Sequence, residues 1–266
     1  MQEKLKSEGK CLFCGKMFSK AGINRHLAAH LNEKESVCRP GKSFLVMVET
    51  SKRRASTPYF LSLWMDGKTE MQILDRFLRD IWVECCDHKS EFRKQEDEKV
   101  KKGKDKMINN LMMQDKVEEA MRFIMMKYYS EKDEISIFNT ANEVFQKGAI
   151  LEYNFDYCHQ FSFPTFLNIT VVEEYSVKAD SEIVLLSRNE PLVIECTDCE
   201  KMSATKICTA HSPYRWLCDE CAGKHAKTCS AFNDHAERPV VNSPRVGKCK
   251  YFGGKIDTER DGVYQM

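Results

Sequence analysis

The chain has 266 residues, 42% of them apolar and 30% charged, with a formal net charge of +1. This is a globular composition, long enough for one sizeable core plus small modules. Its near-neutral balance excludes a global field favouring nucleic acid or membrane, so any electrostatic case must be local. No apolar run approaches the ~20 residues of a membrane-crossing helix, and the start, MQEKLKSEGK, is polar where a secretory signal would be apolar. A cytoplasmic protein with no membrane partner is the expectation, and in that reducing setting the 13 cysteines point to metal, not disulfides.

Residues 1–36 form the first expected unit. Cys11 and Cys14, two residues apart, precede His26 and His30, three residues apart. A turn that supplies two thiolates and a helix that supplies two imidazoles one turn apart make a tetrahedral zinc site, with Phe18, Ile23 and Leu27 as its miniature core. Eleven residues separate Cys14 from His26, one fewer than the common two-Cys-two-His finger. Lys16, Lys20 and Arg25 are candidate phosphate contacts. Gly22 would stand at a base-reading position with no side chain to use, so a protein-contacting or structural finger stands beside the nucleic-acid reading.

Residues 40–190 are expected to form an α+β domain. Phe44–Thr50 and Tyr59–Met65 are short apolar β-type runs, separated by a basic loop and a Ser-Thr-Pro break. Thr69 and Gln72 offer a capping box for a helix carrying Ile73, Leu74, Phe77, Leu78, Ile81 and Trp82 on one face. The mixed-charge run from Lys89 to Lys106 reads as a solvated loop or helix extension. The Met-rich stretch 108–129, with Val117, Met121, Ile124, Met125 and Tyr128, reads as an amphipathic helix packed on the core. Thr140 and Glu143 form a second capping box, and strands are expected at 150–157, 166–175 and 182–186. Cys38, Cys85, Cys86, Cys158 and Cys249 read as free thiols behaving as small apolar residues. Cys86 with His88, or Cys158 with His159, could be imagined as a further metal set. His88 and Asp156 could be an acid–base pair, the basis of an alternative enzyme reading.

Residues 191–235 carry the densest signal, C-x2-C-x8-C-x2-H-x6-C-x2-C-x3-H-x3-C, from Cys196 to Cys229. Cys196, Cys199, Cys218 and Cys221 alone satisfy a tetrathiolate zinc pattern. Cys208, His211, His225 and Cys229 interleave with them, as a cross-brace requires, and His235 could replace Cys229. The expected cofactor is zinc, two or three ions in all. Saturated four-ligand sites leave no open position for catalysis, so the chain is expected to be a non-enzymatic macromolecular binding protein with a protein partner, a nucleic-acid partner or both. Residues 236–266 read as an extended tail lying over the body.

Two resemblances accompany these motifs. SATKIC, WLCDEC and AGKH (204–225 and just before) resemble a B-box zinc module, with the MYND finger as the second likeness; both imply a protein-interaction module with two structural zincs. In the middle, YFLSLWMDG, LDRFLRDIWVECCDHKSEF and LEYNFDYCHQF, with SRNEP and the later PVVNSPRVGKCKYFGG, resemble the root-inducing-plasmid ORF-3-like family. That resemblance implies an α+β domain found with plasmids and mobile elements; the stretch 93–116 looks like an insertion in it, and Tyr157-Cys158 departs from the family's Phe-Gly.

Overall fold

The computed structural model describes residues 7–34, 39–51, 59–95, 98–114, 116–128, 134–156 and 164–256. The fold is α+β, built on one seven-stranded sheet. Its strands are β3 (Pro40–Thr50), β4 (Phe60–Asp66), β5 (Ser90–Lys94), β6 (Glu134–Ile135), β7 (Ile150–Phe155), β8 (Thr165–Val177) and β9 (Ile183–Arg188). The order is β6-β5-β7-β8-β3-β4-β9 and every neighbouring pair is antiparallel.

The apolar runs in β3 and β4 are nearly continuous because both faces of the sheet are covered. Phe44, Val46 and Val48 of β3, with Leu61, Leu63 and Met65 of β4, enter the larger core. There they meet α2 (Met71–Leu78) through Met71, Leu74 and Leu78, followed by a π turn, Arg79–Val83, that buries Ile81 and Trp82. Leu45, Met47, Phe60 and Trp64 point to the other face, against Ile23, Leu27 and Leu31 of α1 (Lys20–Lys34). The strand β8 serves both cores by changing phase. Leu167, Ile169 and Val171 face the first core and Tyr175 and Val177 the second, because a register shift at Leu45/Val46 inserts one residue between them.

The remaining elements are β1 (Glu8–Lys10) and β2 (Met17–Ser19) before α1, then α3 (Glu98–Met113), α4 (Val117–Tyr128) and α5 (Ala141–Val144). Near the C-terminus lie β10 (Lys206–Cys208), β11 (Arg215–Leu217), α6 (Asp219–His225), a π turn Phe232–Ala236 and β12 (Glu237–Pro239).

Several expectations are corrected. The Thr69/Gln72 capping box is not formed: the N-cap is Glu70, the Thr69 hydroxyl donates to the Glu182 carbonyl, and Gln72 turns to the Glu70 carboxylate. The Thr140/Glu143 box is present, at α5. The charged run 89–106 is not a loop but contains β5 and the start of α3, because Phe92 has a buried place in the core. The Met-rich stretch packs α4 against α3, and it leaves the expected core residues Val117 and Met121 exposed, together with Met112 and Met113. The side chains of Ile124, Met125 and Tyr128 lie outside the described residues, as do Cys38, Cys158 and His159.

The described part of the tail, up to Ile256, lies against the body. Arg188 donates to the Asn242 carbonyl, the Asn189 and Asn242 amides bond to each other, and the Ser243 hydroxyl donates to the Trp82 carbonyl. Arg245 and Tyr251 are fully buried. Gly254 passes so close to the π turn that a Cβ there would collide with the Ile81 carbonyl oxygen.

Candidate metal centres

Zinc bound tetrahedrally by sulfur at ~2.3 Å and nitrogen at ~2.05 Å sets the ligand spacing: about 3.8 Å between sulfurs, 3.5 Å between sulfur and nitrogen, 3.3 Å between nitrogens. Among the described residues stand four groups of four Cys and His ligand atoms, the atoms of each group within 4.8 Å of one another.

The first is the expected finger. The β1–β2 hairpin turns through Gly15, whose φ of 75° suits glycine, and Gly15 N–H donates to the Cys11 carbonyl at 2.8 Å. This brings Cys11 and Cys14 to one side, and α1 brings His26 and His30 across from them. His26 Nε2 lies 3.2 Å from Cys14 Sγ and 3.2 Å from His30 Nε2. Burial lowers the affinity of His26 for a proton and raises that of the Cys11 thiol. Two imidazole nitrogens that face each other at that distance fit one shared cation.

The second group is Cys196, Cys199, Cys218 and Cys221. A turn with Glu200 at φ 53° holds the first pair, and the second opens α6. Cys199 and Cys218 sulfurs are 3.9 Å apart. Burial alone would push the Cys196 thiol up, but the backbone donors of Cys218, Cys199 and Asp198 together outweigh it and bring it to about 6. Cys221 is instead pushed up to about 12, by burial and then by its thiol neighbours. Four thiols so close cannot all ionise unaided, and a dication removes that conflict.

The third group is Cys208, His211, His225 and Cys229, with Cys229 Sγ 3.9 Å from His211 Nε2. His225 is 5% exposed and its Nε2 is buried with no hydrogen-bond partner. A buried, unpartnered ring nitrogen on a residue of a thiol–imidazole group fits a metal ligand. First and third pairs thus meet at one point, second and fourth at another, which is the cross-brace arrangement. Cys229 belongs to this group, while His235 is exposed and outside it.

The fourth group is Cys85, Cys86, His88 and Cys249. Cys86 and His88 stand together in it, as one alternative from sequence has them, while Cys85 and Cys249 join them against the expectation of free apolar thiols. The sequence signal was the C-C-x-H run; nothing in sequence pointed to Cys249, which the folded tail delivers. His88 and Asp156 do meet, Nδ1 to Oδ1 at 3.2 Å.

No family model matches this chain, and neither a curated protein nor a solved structure is found similar to it. What the geometry supports directly is therefore chemical: Cys/His groups able to hold metal ions. Among the described residues no helix is long and apolar enough to cross a membrane.

The proposed phosphate contacts separate in the structure. Lys16 and Arg25 are exposed. Lys20 is ion-paired with Glu49 at the end of β3. Leu12, Phe13 and Met17 are exposed around the finger's cysteine turn, 48%, 37% and 47% accessible.

Proposed function

We propose that this chain is a zinc-dependent macromolecular binding protein whose metals are structural. The observation that carries the reading is the ligand count: the finger and both cross-brace groups each offer four Cys or His donors, which fills a tetrahedral ion and leaves no open position. Such sites hold a surface in shape instead of activating a substrate.

The surface the finger presents combines Leu12, Phe13 and Met17 with Lys16 and Arg25. Exposed aromatic and basic groups on one small module suit unpaired bases and phosphates, so nucleic acid is the favoured partner, and a mobile-element setting follows from the root-inducing-plasmid resemblance alone. Labelled single-stranded and duplex nucleic acid, titrated with the purified zinc-loaded chain at several salt concentrations, tests this. Binding that weakens with salt and drops on Phe13→Ala and Arg25→Ala is expected. Salt-insensitive or absent binding would transfer the surface to a protein partner, to be identified by cross-linking.

A second reading, an enzyme centred on His88 and Asp156, draws on one observation: Cys249 Sγ lies 3.5 Å from His88 Nε2 while Asp156 holds Nδ1. A thiol, an imidazole and a carboxylate in that order are the parts of a nucleophilic relay. Selective alkylation of Cys249 by iodoacetamide, abolished by His88→Ala, is the result that would favour it.

A further inference from the structure

We infer that Cys85, Cys86, His88 and Cys249 form a fourth zinc site, one that fastens the C-terminal segment to the end of the α2 π turn.

The spacing fits an ion. Cys86 and Cys249 sulfurs are 3.7 Å apart and Cys249 Sγ is 3.5 Å from His88 Nε2, against about 3.8 and 3.5 Å for a zinc tetrahedron. Three soft thiolates and one imidazole select zinc over harder cations.

The outer shell is built as metal sites are built. His88 turns Nε2 toward the thiols and Nδ1 to Asp156, which is itself buried. A carboxylate behind a histidine fixes the ring's tautomer and orientation and strengthens it as a ligand. The other oxygen of Asp156 accepts from Arg245 Nη2 at 2.8 Å. Arg245 is fully buried and also places Nε and Nη2 each 3.3 Å from Cys85 Sγ. With zinc bound by three thiolates the site carries one negative charge and the Asp156 carboxylate a second, and this guanidinium, in contact with both, offsets one of the two.

The backbone around the site is held in unusual conformations. Asp87, Asp156 and Cys249 all have positive φ, at 54°, 59° and 49°. Non-glycine residues adopt that region at a cost, and the cost is met where the surroundings demand it. Here the Glu84 carboxylate accepts from the backbone N–H groups of Cys86 and Asp87, and Arg79 bonds both that carboxylate and the His88 carbonyl. These bonds clamp the loop through its backbone, independently of the four ligand side chains.

What the site achieves is a cross-link over 161 residues of sequence, from His88 to Cys249. As zinc enters, each of the three thiols yields its proton to solvent and the neutral imidazole donates its lone pair, so no redox partner is required. The relay reading of Cys249 and the zinc reading compete for the same sulfur, and the presence of Cys85 and Cys86 beside it favours zinc.

The test compares metal content of the full chain with that of Cys249→Ala and Cys86→Ser, by elemental analysis after purification in zinc. Each variant is expected to hold one ion fewer than its parent. The difference, not the total, reports this site, so failure of the finger or cross-brace to load would lower parent and variant alike. Because a variant could lose its fold, Asp156→Asn provides a second arm. It keeps all four ligands, and its zinc should be extracted by a competing chelator at about 10–100-fold lower chelator concentration. Cobalt substitution should add a thiolate-to-cobalt band that Cys249→Ala removes. Equal metal content in parent and Cys249→Ala would overturn the assignment, as would iodoacetamide modification of Cys249 in the zinc-loaded chain as fast as in the chelator-treated one.

Discussion

Lys20, the first residue of the finger helix, is ion-paired with Glu49 near the end of β3. The finger therefore spends one of its basic side chains on its own central sheet. Lys16 and Arg25 remain turned to solvent.

From this follows an ordering among basic-to-alanine variants in a nucleic-acid titration. Lys16→Ala and Arg25→Ala should each weaken binding across all sequences and reduce the slope of log affinity against log salt by about 1. Lys20→Ala should leave the slope unchanged, since its charge is already matched by Glu49. Equal effects for all three variants would contradict the ion pair.

The finger also behaves as a lid on the sheet. Leu27 is fully buried in the core that contains Leu45, Phe60 and Trp64. Leu27→Ala should destabilise the whole chain by about 2–5 kcal/mol, the cost of a buried leucine cavity, read by denaturant unfolding followed through Trp fluorescence. A finger that folded as an isolated module would leave the Trp64 signal unmoved.

Cys221 and His225 lie on the same short helix, α6, yet belong to different metal groups. Cys221→Ser should cost one ion outright. The ion at Cys208, His211, His225 and Cys229 should remain but leave faster to a chelator, because α6 is no longer anchored at its start. Metal content and release kinetics of the variant check both halves.

Tyr153 is fully buried and its hydroxyl donates to Asp75 at 2.8 Å. Burial, reinforced by the Asp75 charge, raises its pKa well above the ordinary tyrosine value. The folded chain then holds a proton that the unfolded chain gives up above pH ~10, so this contribution is complete below that pH and declines as pH rises past it. Tyr153→Phe should lower neutral-pH stability by about 1–2 kcal/mol and flatten the alkaline part of the stability–pH curve relative to the parent. Urea midpoints measured from pH 8 to 11 give both numbers.

Gly254 lies against the Ile81 and Asp80 carbonyls with no space for a side chain. Gly254→Ala should lift the tail from the π turn, costing about 1–3 kcal/mol and exposing the segment after Pro239 to protease. Unchanged proteolysis would show that the tail is held elsewhere.

The finger and the cross-brace were legible in the chain because their ligands are close in sequence: a two- or three-residue gap on a turn or helix fixes which atoms can share an ion before any long-range fold exists. The α+β class was legible for a similar reason, since alternating strands and a strongly periodic helix declare themselves locally. Other features needed the third dimension. Phe92 makes a strand of a charged run because the core has a place for it, which local charge cannot reveal. Thr69 abandons its capping role for a carbonyl on a neighbouring strand. Cys249 becomes a partner of His88 only when the tail folds back past Trp82 and Asp156. Sequence alone determined which donor atoms at the two ends of the protein can share an ion, since those ligands are set by short-range geometry. Tertiary structure decided that the finger covers a sheet and that the remote Cys249 meets the Cys85–His88 run, since those depend on which buried surfaces exclude water together.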